Sequence, residues 1–172
     1  MSMSNFYQHN KSQPFHISVG AVLFNENYEI CTHHFFTERL PDNLKFHAGG
    51  LNEYYHLVRE SLENNETLES AVLRGVHEEF GVVGEVDKYI GAKEDVITGH
   101  GYDFQKITLY HSVKLVRFEE RPDIDAENHT LMEWYTPKEL LKIYDKQVSQ
   151  TDRPELDERI IVERFMDAYG LK

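Results

Sequence analysis

The stretch LESAVLRGVHEEFGV, residues 68 to 82, leaves the chain little choice of local structure. Leu68, Ala71, Val72, Val76 and Phe80 recur every three or four residues, the period of one helix face, and Gly81 stands where a helix would stop. Asn64 or Asn65 offers a side-chain cap for its start. One residue conflicts with the pattern: Gly75 lies in the helix interior, where glycine costs about 1 kcal/mol against alanine. Each helical residue advances by about 100°, so Glu78 and Glu79 fall on either side of the direction in which position 75 points. Both acids lie in the last turn, where the helix end carries partial negative charge and each exposed carboxylate costs about 0.3–1 kcal/mol. A bound cation reverses that penalty, and hard oxygen donors suit magnesium or manganese. Without a cation, the plain reading is a surface pair of Arg74 with Glu78 and a solvated Glu79.

The surrounding pattern supplies strands. HISVGAVLF, residues 16 to 24, alternates Ile17, Val19, Ala21 and Leu23 on one face, and YEICTHHFF follows the turn-like NEN as its hairpin partner. Residues 37 to 50 read as a loop ending in Gly49 and Gly50. Beyond the helix, two extended stretches are expected at about 82 to 98 and 103 to 118, joined by GHGYD, with Ile107, Leu109, Val113 and Leu115 on a shared face. An acidic loop, EERPDIDAEN, leads to a short strand around LMEWY. Thr136 at a cap position and Pro137 at the first helical position start a further helix. A last helix is expected at about 154–169, with Leu156, Ile160, Phe165 and Met166 as its apolar stripe. Strands, helix, strands and helices in that order, without repeats, predict an α/β fold with a mixed sheet packed between helices.

At 172 residues and 40% hydrophobic composition the chain can bury one substantial core. The expected organisation is an N-terminal extension, 1 to 15, and a single domain, 16 to 172, whose last helix packs on the domain or forms a homodimer contact. A net charge of −12 argues against unassisted binding to nucleic acid or to an anionic membrane, both of which need a positive surface. A phosphate compound handled by so acidic a chain needs local arginines or a bridging divalent cation. The single cysteine, Cys31, excludes an internal disulfide and a cysteine-based zinc cage and suits a reducing compartment. The first residues lack the regions of a signal peptide, and no apolar run approaches membrane-spanning length, so a cytoplasmic location is expected.

The wider pattern resembles the Nudix hydrolases, whose box is written G-x5-E-x7-R-E-U-x-E-E-x-G-U, with U an aliphatic residue. Val82, Gly81, Glu79, Glu78, Val76, Arg74 and Glu66 stand at the family's spacing. Gly49 and Gly50, after KFHA, look like the glycine pair that opens the box, which makes residues 51 to 64 an insertion in the box loop. The main departure is Gly75, which stands where the family has the glutamate after the arginine, commonly a metal ligand.

The resemblance implies an α/β/α sandwich and cleavage of a diphosphate linkage in a small-molecule nucleoside diphosphate derivative, with Mg2+ or Mn2+ as cofactor. It also implies a metal held by Glu78, Glu79 and the backbone carbonyl of Gly49, with weaker affinity for want of one carboxylate, and an Arg74 that orients the glutamates. Water activation then comes from metal coordination or from a loop outside the box. The acidic loop offers Glu119, Glu120, Asp123, Asp125 and Glu127, with Glu133 next to Trp134; Glu127 and Glu133 are the candidates for a base. Against these stands a solvated charged turn.

His77 is expected to point away from the carboxylates, and His47 is the histidine adjoining the box loop. The pair His33 and His34 has no ligand spacing, and an exposed or satisfied role is expected there. Tyr54, Tyr55 and His56 either stack on a base or pack the insertion onto the domain. The alternative function is a Nudix-like module that binds a nucleotide or a protein without catalysis, with Gly75 in its favour. The isomerase branch of the superfamily would need an active-site cysteine, for which Cys31 has no matching context.

Overall fold

The computed structural model describes residues 7 to 98, 101 to 121 and 130 to 172. Seven strands form one mixed sheet: β1 (Phe15–Phe24), β2 (Ile30–Phe36), β3 (Glu53–His56), β4 (Val58–Ser61), β5 (Val82–Ile97), β6 (Phe104–Phe118) and β7 (Thr130–Tyr135). Helix α1 (Leu68–Phe80) covers one face, and α2 (Pro137–Val148) and α3 (Arg159–Tyr169) cover the other. This is the expected α/β/α sandwich.

Strand β1 is central, parallel to β6 from Phe15 opposite Gln105 to Phe24 opposite Lys114. It is buried on both faces. Val19, Ala21 and Leu23 pack with Cys31 and Val58 against Ala71, Val72, Val76 and Phe80 of α1. Val22 and Phe24 pack with Ile30 and Tyr110 against Leu140, Tyr144, Ile161, Val162 and Phe165. A strand between two layers of helices reads as a continuous apolar run, and VGAVLF is one.

The sheet splits beside β1. Strand β2 meets β1 only where Ile30 faces Phe24, and then runs on with β3 and β7 as partners. The place beside the first half of β1 goes to β4, with Ser18 to Ala21 opposite Ser61 to Val58. The gap between the β2–β3 arm and the β1–β4 arm is where the site lies.

Several expectations need correction. Residues 51 to 64 are not an inserted loop: they carry β3 and β4, which are part of the sheet. Helix α1 is capped by Thr67 rather than Asn64 or Asn65; its hydroxyl accepts from the Ser70 N–H, and Ser70 Oγ accepts from the Thr67 N–H at 3.0 Å. Asn65 instead takes a left-handed turn at φ 65°. The last helix starts at Arg159, after a short 3-10 turn at Pro154–Leu156. Its buried face is Ile161, Val162 and Phe165, while Ile160 is exposed. The break comes from Glu158, which is fully buried and accepts from the Leu57 N–H, from Tyr110 and from Tyr144.

Parts of the expected extension also belong to the packed structure. The carbonyl of Tyr7 accepts from the Ile17 N–H, and the His9 ring stacks on Phe104 at 3.6 Å between centroids. Among the described residues no helix is long and apolar enough to cross a membrane.

Gly81 ends α1 at φ 62°, and a Cβ built there would stand 2.7 Å from the Glu119 carbonyl oxygen. Gly81→Ala should therefore cost about 2 kcal/mol or more in urea unfolding, about 1 kcal/mol from the left-handed backbone and the rest from backbone that must shift.

Candidate active site

Helix α1 brings its last two turns against β2 and β4. Glu79 is buried, 7% exposed, although it was expected to be solvated if no cation were bound. It sits against the β2 face that carries Cys31, His33 and Phe35, and forms a hydrogen bond with Nε2 of His33. The other ring nitrogen of His33 is held by the Thr130 hydroxyl at 3.0 Å. A buried imidazole pinned at both nitrogens has one orientation, so Glu79 does too.

Arg74 organises the outer side. Its guanidinium donates to Glu66 Oε1 and Oε2 at 2.9 and 3.0 Å, to the Ser61 carbonyl at 3.0 Å and to Glu78 at 3.2 Å. The same Nη1 lies 3.2 Å from Glu60 Oε2 on β4. The Glu66–Arg74 fork ties the loop before the helix to its middle.

Glu60 enters because of Gly75. A Cβ on residue 75 would lie 3.0 Å from Glu60 Cβ and 3.4 Å from Val58 Cγ1, so β4 lies against the helix where a side chain would otherwise be. Burial pushes the Glu60 carboxyl above the usual carboxylate range, its hydrogen bond from the Ser61 N–H and the charge of Arg74 pull it down, and Glu79 and Glu78 push it up. Three carboxylates therefore share the end of α1.

These are hard oxygen donors, the chemistry that suits magnesium or manganese. Among the described residues no three such groups already converge at ligand distance, since His33 holds Glu79 and Arg74 holds Glu60 and Glu78. The donor types fit a divalent cation.

Beyond Glu79 the split in the sheet opens into a cavity of about 320 Å3, lined by His33, Phe35, His47, Tyr54, His56, Arg59, Glu79 and Lys106, with Leu40, Leu44, Glu155 and Leu156. Phe35 and Tyr54 are stacked at 4.7 Å, and Phe35 lies at 4.7 Å from His56. Arg59 donates to the Glu155 carbonyl at 3.0 Å and lies 3.8 Å from Glu158. Burial opposes its charge, but Glu158, Tyr110 and Asp95 outweigh that and raise its pKa. Burial first, and Arg59 second, bring Lys106 down to about 7. Burial, Arg59 and His33 hold His56 well below its ordinary value, and its Nδ1 donates to the Leu57 carbonyl. The lining thus combines the cations Arg59 and Lys106, the rings of Phe35, Tyr54 and His56, and the Glu79–His33 pair.

The expected site residues divide. Arg74, Glu78 and Glu79 are brought together. Gly49 is placed on another loop, where its carbonyl accepts from the Thr151 hydroxyl at 3.1 Å. Glu133 is turned away: strand alternation puts Thr32, His34 and Glu133 opposite to Cys31 and Trp134, which face α1. Its carboxylate accepts from Tyr135 and contacts His34 at 3.0 Å. Glu127 lies outside the described residues, as do Asp123 and Asp125. His77 points away from the cluster and lies 3.6 Å from Glu119. Tyr54 and His56 line the cavity, while the backbone of Tyr55 is tied to Gln147.

Sequence reasoning missed His33, Glu60, Arg59 and Lys106. For Lys106 a signal existed: the argument from net charge asked for local cations, and Lys106 precedes the apolar alternation of β6, whereas Arg59 lies on the short polar strand VRES. His33 and Glu60 had no local signal, because each acts through a strand pairing.

Helices cover both faces of a mixed sheet, and Glu79 of α1 lines the same cavity as Arg59, Lys106 and Glu155. The chain belongs to the NUDIX family: the NUDIX domain matches residues 14–157. Among solved structures it is similar to a NUDIX hydrolase from Nitrosomonas europaea, at 16% identity over 88% of each chain and a TM-score of 0.62. It is also similar to a MutT protein from Methanosarcina mazei Go1, at 20% identity over 91% of this chain and 95% of that one, TM-score 0.59. The E. coli ORF135 protein matches at 17% identity over 91% of each, TM-score 0.57. No curated protein sequence matches. At these identities the structures establish the shared fold. Helix α3 follows the matched region and closes the second core through Ile161, Val162 and Phe165.

Proposed function

We propose that this chain is a divergent Nudix-type hydrolase that cleaves a diphosphate linkage in a nucleoside diphosphate derivative, with Mg2+ or Mn2+ held by Glu78 and Glu79. The observation that carries this reading is a single cavity lined together by Glu79, Arg59 and Lys106. Arg59, and Lys106 while protonated, place positive charge beside a diphosphate in a chain of net charge −12. The aromatic wall of Phe35, Tyr54 and His56 suits a flat or apolar group joined to it.

When bound, the cation neutralises charge on the diphosphate and makes a coordinated water more acidic. Arg59 and Lys106 hold phosphate oxygens. Glu79, oriented by His33 and through it by Thr130, accepts the proton that the attacking water gives up. Arg74 keeps Glu78 and the preceding loop in register with the helix. The test is product release from nucleoside diphosphate sugars, dinucleoside polyphosphates, ADP-ribose and nucleoside triphosphates with either cation. Turnover that requires the cation supports the reading.

The binding-module reading draws on the same carboxylates, already engaged by Arg74 and His33. Ligand binding that is independent of metal, with no turnover on any substrate, would establish it instead.

Lys106 gives a pH prediction. It is charged below about 7 and neutral above, and an anionic substrate favours its charged form. KM should therefore rise as pH passes 7, up to about tenfold per pH unit while the free enzyme deprotonates and the complex does not. Lys106→Arg should flatten that rise. Stability moves the opposite way: with the folded pKa below its ordinary 10.5, the unfolded chain binds more protons between about 7 and 10.5, so Lys106 makes stability rise with pH across that window.

A further inference from the structure

Counting back from Glu66 by the G-x5-E spacing reaches residue 60, not residues 49 and 50. With strands β3 and β4 in place of an insertion, the box needs no extra residues, and the position of its opening glycine holds Glu60. The position of its helical glutamate holds Gly75. The two departures are one event in space: Glu60 Cβ lies 3.0 Å from where a Gly75 Cβ would stand. A side chain leaving β4 at residue 60 and one leaving α1 at residue 75 occupy the same slot between strand and helix. A Cβ at residue 75 fits only if Glu60 gives by a few tenths of an ångström.

We propose that Glu60 and Gly75 are a reciprocal exchange, in which the carboxylate that helix α1 lacks is supplied across the slot by strand β4, so that Glu60 completes the cation site with Glu78 and Glu79. The inference rests on the function proposed above and deepens it. Glu60 reaches the cluster already: its Oε2 and the Oε2 of Glu78 each lie 3.2 Å from the same Arg74 Nη1. Val58 and Glu60 leave the same face of β4, and Val58 packs in the core under α1, which fixes the direction of Glu60 toward the helix. Arg74 is the counter-ion shared by these two carboxylates.

The slot makes the exchange testable by reciprocity. Glu60→Gln keeps the shape and removes the charge; it should weaken Mn2+ binding, read by titration calorimetry on the metal-free protein, by about tenfold or more. Gly75→Glu alone forces a side chain against Glu60 Cβ and should lower the melting temperature of the metal-free protein. Glu60→Gly with Gly75→Glu restores the written box, and should recover both the melting temperature and Mn2+ affinity to within about threefold of the parent, far from the sum of the single effects. Additive losses in the double variant, or unchanged Mn2+ affinity in Glu60→Gln, would overturn the exchange while leaving metal-dependent turnover by the parent intact. A parent that binds no Mn2+ and turns nothing over would sink the hydrolase reading and the exchange together.

Discussion

Glu79→Gln is expected to lower kcat about a thousandfold, equivalent to about 4 kcal/mol of barrier, with the fold intact. The substitution keeps the volume of a buried side chain and a hydrogen bond to His33 Nε2, since an amide can accept or donate there. What it removes is the negative charge, on which cation binding and proton acceptance both depend. The measurement is product release with Mg2+ or Mn2+ beside the melting temperature, which should move by less than about 4 °C. Full turnover by the variant would place the chemistry elsewhere, and an equal loss of folded protein would make Glu79 a structural residue.

The largest effect on stability is expected at Glu158→Ala. Glu158 is fully buried between β4, β6, α2 and α3, accepting from the Leu57 N–H, Tyr110 and Tyr144, with Arg59 at 3.8 Å. Truncation leaves two hydroxyls and an N–H without their acceptor in an apolar layer, and leaves Arg59 with the Glu155 carbonyl but without its carboxylate partner. Breaking one side of a buried ion pair costs about 3–5 kcal/mol, mainly because the remaining charge stays desolvated. For a chain of this length that corresponds to a fall of about 10 °C in melting temperature. Pairing it with Arg59→Met should recover part of the loss, because buried ion pairs exchange for apolar residues at little cost whereas single charges do not. Failure of the pair to recover anything would show that the hydrogen bonds to Leu57 and the two tyrosines dominate.

The two residues mark opposite ends of what a sequence reveals. Glu79 was legible because a helix writes its geometry locally: three- and four-residue spacing, a glycine stop and paired acids in the last turn need only the chain between 68 and 82. Glu158 was read as part of a continuous helix, since periodicity describes which face is apolar and not which polar side chain a layer will enclose. The same limit explains the base candidates. Glu133 was a candidate base because it is an acid near the end of the acidic loop, yet it faces the opposite side of the sheet, because a single step along a strand reverses direction.

The 51–64 segment shows a subtler failure. The box opens on a glycine, and the pair Gly49 and Gly50 makes the residues after it look like an insertion. Their strand character was masked by polar residues on short strands, EYYH and VRES, whose partners lie far away in the chain. Position 60 makes sense only when Gly75 is seen against it.

The sequence by itself determined the α/β class, helix α1 with its glycine stop, the long strands β5 and β6 and the Arg74, Glu78 and Glu79 constellation. All of these depend on local periodicity, capping and spacing. The tertiary structure decided which carboxylate fills the slot at Gly75, that His33 orients Glu79, and that Arg59 and Lys106 reach one cavity. Those outcomes are set by strand pairing and by the split beside β1, which bring together side chains from α1, β2, β4 and β6 and leave no mark within any one of them.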